Sequence, residues 1–281
     1  MFTLKIENVY GQTFELTHNT SNYKVVGVSG LTYPTSNINT SESIADGAYY
    51  NSQRLQMRNI VIDIMLDGDI ERNRQQLYKI FPIKSKCTIY FQNENRNVKI
   101  DGWIEVVGGD LFSQQEQMQI SIICTHPYFE GLETIQTELT RIMKLFEFPF
   151  SIQTPIPISE IRTLPFCTII NGGDMKCGCT LEISILGDVK GLKIYNTTTQ
   201  EMFGIDFDFQ TGDNIKIDTT NTKKKCILVR DGAEISLLFY RVKGSSWFSL
   251  AQGANDFTFS VSEGEEYVKI EFAVVELYGG V

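Results

Sequence analysis

The chain has 281 residues, 42% hydrophobic and 21% charged, the proportions of a folded globular protein, and its length suggests two domains. A formal net charge of -9 weighs against binding nucleic acid, whose affinity comes largely from Lys and Arg neutralising phosphates. No run reaches the roughly 18 apolar residues of a membrane helix, and "MFTLKIENVYGQTFEL" lacks a basic stretch followed by an apolar core. Membrane insertion is therefore not expected, and the chain is expected to be made and folded in a cytoplasm.

Alternation governs the first half. In "FTLKIENV" (2–9), Phe2, Leu4 and Ile6 share one face and Thr3, Lys5 and Glu7 the other, the period-2 signature of a half-buried strand. Tyr10-Gly11 turns the chain and "TFELT" (13–17) answers as a hairpin partner. "YKVVGVSGL" (23–31) is a further strand with glycine interruptions. Residues 32–57 are rich in Asn, Ser and Thr with few apolar anchors, and read as a long exposed loop. Loops longer than about 12–15 residues in a compact domain tend to be functional, so this one is an expected interaction arm.

"RNIVIDIML" (58–66) alternates again. Asp69 then caps a predicted helix with Leu77, Ile80 and Phe81 inward, which Pro82 ends. "KCTIYFQNENRNVKIDGWIEVV" (86–107) reads as two strands around a polar turn, and "EQMQISIIC" (116–124) as another strand. "TIQTELTRIMKLFEF" (134–148) has apolar residues at 3–4 spacing and is expected to be helical, and prolines at 149, 155 and 157 follow. The expected organisation is a domain over 1–132, a helical, Pro-containing linker over 133–158, and a second domain over 159–281. Short strands with turns every 8–12 residues make that second domain a β-sandwich.

Chemistry is sparse. The six cysteines are expected to be reduced, buried thiols. Cys177 and Cys179 have one residue between them and no second pair, which is not structural-zinc spacing, so neither metal nor cofactor is expected. Cys124 and His126 lie two apart at a strand end, with no orienting third group in view, so no catalytic residue is assigned. Asp206 and Asp208 share a strand face, which fits a carboxylate pair as in glycosidases and, equally well, solvent-facing alternation.

Taken in order, the pieces resemble the distal tail proteins of long-tailed siphophages over nearly the whole chain. In the first domain the resemblance rests on Gly27 to Leu31, "DGAYY" (46–50), "RNIVIDIML", "ERNRQQLYKIF" (71–81), "VKIDGWIEVV" (98–107) and a close on Cys124 and Pro127-Tyr128. In the second it rests on "NGGD" (171–174), "YNTTT" (195–199), "TGDNIKIDT" (211–219), "ILVRDG" (227–232), "SSWFSLAQGAN" (245–255) and "VVELYGG" (274–280).

The resemblance implies a mainly β protein. An N-terminal α+β belt domain, a sandwich or split barrel with one short helix, precedes a galectin-like, carbohydrate-binding-module-like β-sandwich. It implies a structural protein, not an enzyme, that forms a homohexameric ring at the virion tail tip after assembly in the host cytoplasm. Its implied partners are the tail tube protein, the tape measure protein, the tail-tip hub and receptor-binding proteins. Within that reading Tyr33, Asn37, Asn39, Glu42, Tyr49, Tyr50, Asn93 and Asn95 are the candidates for contacts with a neighbouring subunit or the tube. The alternative is carbohydrate binding by the second domain through Trp247, whose neighbours Phe248 and Leu250 also fit core packing.

Overall fold

The structure, a computed structural model, describes residues 2–16, 22–109, 117–140, 165–221 and 223–281. It divides into two compact units, residues 1–132 with 277–281, and residues 133–276.

In chain order the first unit holds β1 (Thr3–Asn8), β2 (Thr13–Leu16), β3 (Tyr23–Ser29), β4 (Ser36–Glu42), β5 (Ala48–Leu55), β6 (Arg58–Leu66), α1 (Ile70–Ile80), β7 (Lys86–Gln92), β8 (Asn97–Gly108), β9 (Gln117–Cys124) and the start of β10 (Phe129–Thr140). Antiparallel pairing links β2-β1-β7-β8-β9-β6-β3. The alternation seen in the sequence becomes inward faces: Leu4 and Ile6, then Ile60, Ile62 and Ile64, then Ile120, Ile122 and Cys124 are buried.

At the outer strands β2 and β3, the Phe14 and Tyr23 rings meet edge-on at 4.9 Å. Helix α1 covers them, with Phe81 5.5 Å from Phe14 and the Tyr23 hydroxyl donating to the Asn73 carbonyl. The helix is capped as expected, the Asp69 side chain accepting from the Arg72 amide. Leu77 and Phe81 are buried, while Ile80 is only half-buried.

The second unit holds the rest of β10, then β11 (Phe166–Asn171), β12 (Cys179–Ile185), β13 (Val189–Asn196), β14 (Glu201–Phe209), β15 (Asn214–Asp218), β16 (Lys225–Arg230), β17 (Ala233–Ser236), β18 (Gly253–Glu263) and β19 (Val268–Tyr278). One sheet runs β17-β16-β15-β12-β19-β10 and the other β11-β18-β13-β14. They face each other through aromatic rings: Phe257 of β18 lies 4.8 Å from Phe272 of β19 and 5.4 Å from Phe248. This is the expected sandwich.

Three expectations change. Residues 32–57 are no loop: β4 and β5 pair with each other as a separate two-stranded sheet. The segment 133–140 is not helical but continues β10, and residues 141–158 of the expected linker lie outside the described residues. Thr134, Ile135, Thr137 and Thr140 are β-branched, which disfavours a helix, and Ile135, Thr137 and Leu139 point inward with period 2. "SLLFYRV" (236–242) does not run as one strand either. After Ser236 the chain dips to bury Leu237, then turns as a short 3-10 helix that leaves Phe239 exposed.

Candidate assembly interface

Five of the eight interface candidates fall on the β4–β5 hairpin. Its pairing sets Asn37 opposite Arg54, Asn39 opposite Ser52, Thr40 opposite Tyr50, Ser41 opposite Tyr49 and Glu42 opposite Ala48, with an irregularity between Asn39 and Thr40. Almost every residue on both faces is exposed. Tyr49 and Tyr50 are 64% and 63% exposed, Ile38 is exposed, and Ile44 at the tip is fully so. The sequence candidates omitted Ile38 and Ile44, although isolated isoleucines in a polar stretch were the available signal. A two-stranded hairpin in water is marginal on its own. Large apolar groups held out on such an arm make it a candidate contact surface.

The root of the arm is clamped. Gln56 donates its amide to the Thr35 carbonyl at 3.0 Å, closing the hairpin. Arg58, the first residue of β6, is 2% exposed. Its guanidinium donates to four carbonyls: Gly30 and Thr32 at 2.5 Å, Pro127 at 2.9–3.0 Å and Gly279 at 2.6 Å. It also stacks 4.5 Å over the Phe129 ring. One side chain thus joins the strand before the arm, the turn after β9 and the C-terminal tail. Gly30 is required there: its φ is +81°, and a Cβ would meet the Asn59 carbonyl oxygen at 2.0 Å.

Tyr33 sits at this root. Its ring lies against Gly279, where a Cβ would overlap it. Asn93 and Asn95 are on a separate feature, the β7–β8 turn, where the Asn93 side chain accepts from the Asn95 and Arg96 amides. That bonding makes Asn93 a turn-former, while Asn95 is exposed. The tail connects the two places, because Arg96 donates to the Gly280 carbonyl at 2.9 Å and Val281 donates to the Leu31 carbonyl at 3.0 Å. Neither Arg58 nor the tail was among the sequence candidates.

The "CTHP" segment takes a structural part in this clamp. Cys124 is buried and its thiol is pushed up to about 12, by desolvation first, so it is protonated at neutral pH and is not an activated nucleophile. His126 lies edge-on to Tyr128 at 5.5 Å, and the Pro127 carbonyl is an Arg58 acceptor. Cys177 and Cys179 are buried, pushed by desolvation to about 11 and about 12 respectively. Among the described residues no group of three or more His, Cys, Asp or Glu side chains is placed to hold a metal ion.

In the second unit Trp247 is half-buried, its ring 4.8 Å from that of buried Phe203. Its loop is held by three asparagines, none of them exposed. Asn171 donates to the Leu250 and Ala251 carbonyls, Asn196 to the Ser249 carbonyl, and Asn255 to the Ala251 and Gly253 carbonyls. A cavity of about 340 Å³ is lined by Gly191, Lys193, Asp206, Val242, Ser260 and Ser262 among others, and Trp247 does not line it.

The family described as siphovirus-type tail component, C-terminal domain, matches residues 172–274. The match lies within the second unit and spans well under half of the chain, so it is that unit which is similar to a siphovirus-type tail component domain. No curated protein matches its sequence. Among solved structures it is similar to the Dit protein (gp 19.1) of phage SPP1, with 16% identity, 99% of each chain covered and a TM-score of 0.67. It is also similar to a chain of the phage p2 baseplate in its activated conformation with Sr, with 13% identity, 98% of each chain covered and a TM-score of 0.50.

Proposed function

We propose that six copies of this chain close a ring at the tail tip, joining the tail tube and tape measure protein to the tail-tip hub and receptor-binding proteins. Assembly takes place in the host cytoplasm. The observation that carries this reading is the β4–β5 arm, a self-paired hairpin presenting Ile38, Ile44, Tyr49 and Tyr50 to solvent. An arm of this kind has a use only when a neighbour covers it. The SPP1 relative is described as a paradigm of a hub adsorption apparatus in phages infecting Gram-positive bacteria, which supports the same placement here. The work is symmetry rather than chemistry, each subunit offering one surface to a different surface on the next.

Replacing residues 36–45 with a short Gly/Ser linker tests this. The variant is expected to fold, because the arm lies outside both cores, and to lose the six-fold rings expected of the parent in negative-stain images and light-scattering mass. Rings of unchanged mass would remove the arm from ring closure.

A second reading, glycan binding, is favoured by the polar cavity over β13, β14 and β18, where Lys193 and Asp206 bring a donor and an acceptor beside two serine hydroxyls. Titrating host wall polysaccharide against the parent and an Asp206→Ala, Lys193→Ala variant is expected to show saturable binding only in the parent. Equal binding by both places the sugar elsewhere, and no binding by either removes the reading.

A further inference from the structure

The outward face of the β11-β18-β13-β14 sheet carries both the cavity and a row of apolar side chains. Phe257, Phe259, Ile194 and Phe203 turn inward, so the residues that alternate with them turn out. Register sets Ser260 beside Lys193, and Lys193 beside Gly204. Two residues along, it sets Phe166 beside Thr258, Thr258 beside Tyr195 and Tyr195 beside Met202. The polar row and the apolar row are thus roughly 7 Å apart by strand rise. Phe166 is 61% exposed, while Tyr195 and Met202 are half-buried.

A bulge sits at the polar end. The pairing of β13 with β14 shifts between Lys190 and Leu192, and Gly191, at φ +59°, is the residue left over. Asp206 of β14 and Ser262 of β18 flank it, and together with Lys193 and Ser260 they line the cavity. Gly204 leaves room at the same place: a Cβ there would lie 3.1 Å from the Lys193 stem and 3.2 Å from Val242. Among the described residues, the side chains of Lys193, Asp206, Ser260 and Ser262 have no protein partner. Their charged neighbours are engaged, Lys190 with Glu263 at 2.8 Å and Arg230 with Asp213 at 2.6 Å.

We propose that this face binds an uncharged glycan, one sugar at the cavity and the next stacked on the row of Phe166 and Tyr195. The proposal rests on the glycan reading and names its chemical class and a second subsite. A carboxylate only accepts and an ammonium only donates, whereas a serine hydroxyl does both. Neighbouring hydroxyls of one sugar also do both, so Asp206 and Lys193 each find a use on a single ring. The C–H face of a pyranose is apolar, and the ring and thioether surface of Phe166, Tyr195 and Met202 suits it.

Charge selects this class over a polyanion. Among the described residues Lys193 is the one cation lining the cavity, and Asp206 offsets it. Asp208 is exposed on the same face of β14, Asp256 is half-buried on that of β18, and Glu263 takes up Lys190. The face as a whole is therefore acidic. The oxygens of a phosphodiester only accept, so Asp206 would meet them both as a like charge and as a second acceptor.

The test titrates the full-length chain with the neutral and the anionic polysaccharide fractions of host walls, separated by anion exchange. The neutral fraction is expected to bind saturably. Phe166→Ala is expected to weaken that binding about tenfold and to leave the unfolding midpoint unchanged, because the ring is exposed. Tyr195→Leu, which keeps apolar bulk and removes the ring, is expected to weaken it similarly. Neutral-fraction binding that neither variant weakens would overturn the second subsite and leave the cavity reading standing. Binding of the anionic fraction alone would overturn the assigned class and leave the glycan reading standing. No binding of either fraction would overturn both.

Discussion

Replacing Arg58 with methionine is expected to destabilise the first unit by about 3–5 kcal/mol. Methionine keeps most of the apolar stem but removes every donor, so four carbonyls that Arg58 satisfies lose their partner. A buried acceptor left unsatisfied costs about 1–3 kcal/mol. Gly279 and Gly30 lie in a tail and a loop that can swing toward water, which keeps the total below the sum of four such terms. With a urea m-value of about 1–3 kcal/mol/M for a domain of this size, the midpoint of the first unit's transition falls by about 1–5 M. Arg58→Lys is expected to recover only part of this, because an ammonium cannot span four acceptors as the planar guanidinium does. A loss under 1 kcal/mol in the methionine variant would mean that the clamp does not hold the arm root. The arm root would then rest on its other ties, the Tyr33 ring against Gly279 and the bond from the Val281 amide to the Leu31 carbonyl.

Much of the fold was legible because one face of most strands is wet and the other dry. The isoleucines of β6 and the Asp69 cap of α1 announce themselves for that reason. The arm was legible as a place but not as a structure. Both of its faces are exposed, so β4 and β5 carry no hydropathy alternation, and a strand without alternation reads as a loop. β10 was misread because Ile135 and Leu139 satisfy the helical and the strand period at once, and the β-branched residues between them decided the outcome. The interface candidates were chosen for polarity, which found Tyr49 and Tyr50 by proximity and passed over Ile38 and Ile44. Arg58 could not be found this way: an arginine at a strand start is ordinarily a solvent group, and only the convergence of Gly30, Pro127 and Gly279 makes it a buried one.

The second unit shows what its most recognisable motifs do, and it gives the other large expected effect. "NGGD", "YNTTT" and "SSWFSLAQGAN" contribute Asn171, Asn196 and Asn255, and all three side chains bond the loop that carries Trp247. Asn255→Ala is expected to cost about 2–4 kcal/mol. Its Oδ1 accepts from the Ala251 amide at 2.8 Å, and its Nδ2 donates to the Ala251 and Gly253 carbonyls at 2.8 and 3.0 Å. Alanine leaves all three groups without that partner in a site that excludes water. The loop then has reason to lift, and Trp247 to leave the Phe203 ring on which it rests. In a Trp103→Phe background, where Trp247 is the remaining tryptophan, the emission of the folded variant is expected to shift to the red and the unfolding midpoint to fall. An unchanged spectrum with a lowered midpoint would assign the asparagine to stability without positioning the loop. An unchanged midpoint would show that the three asparagines share the load and that only a double variant, with Asn196 also removed, releases it.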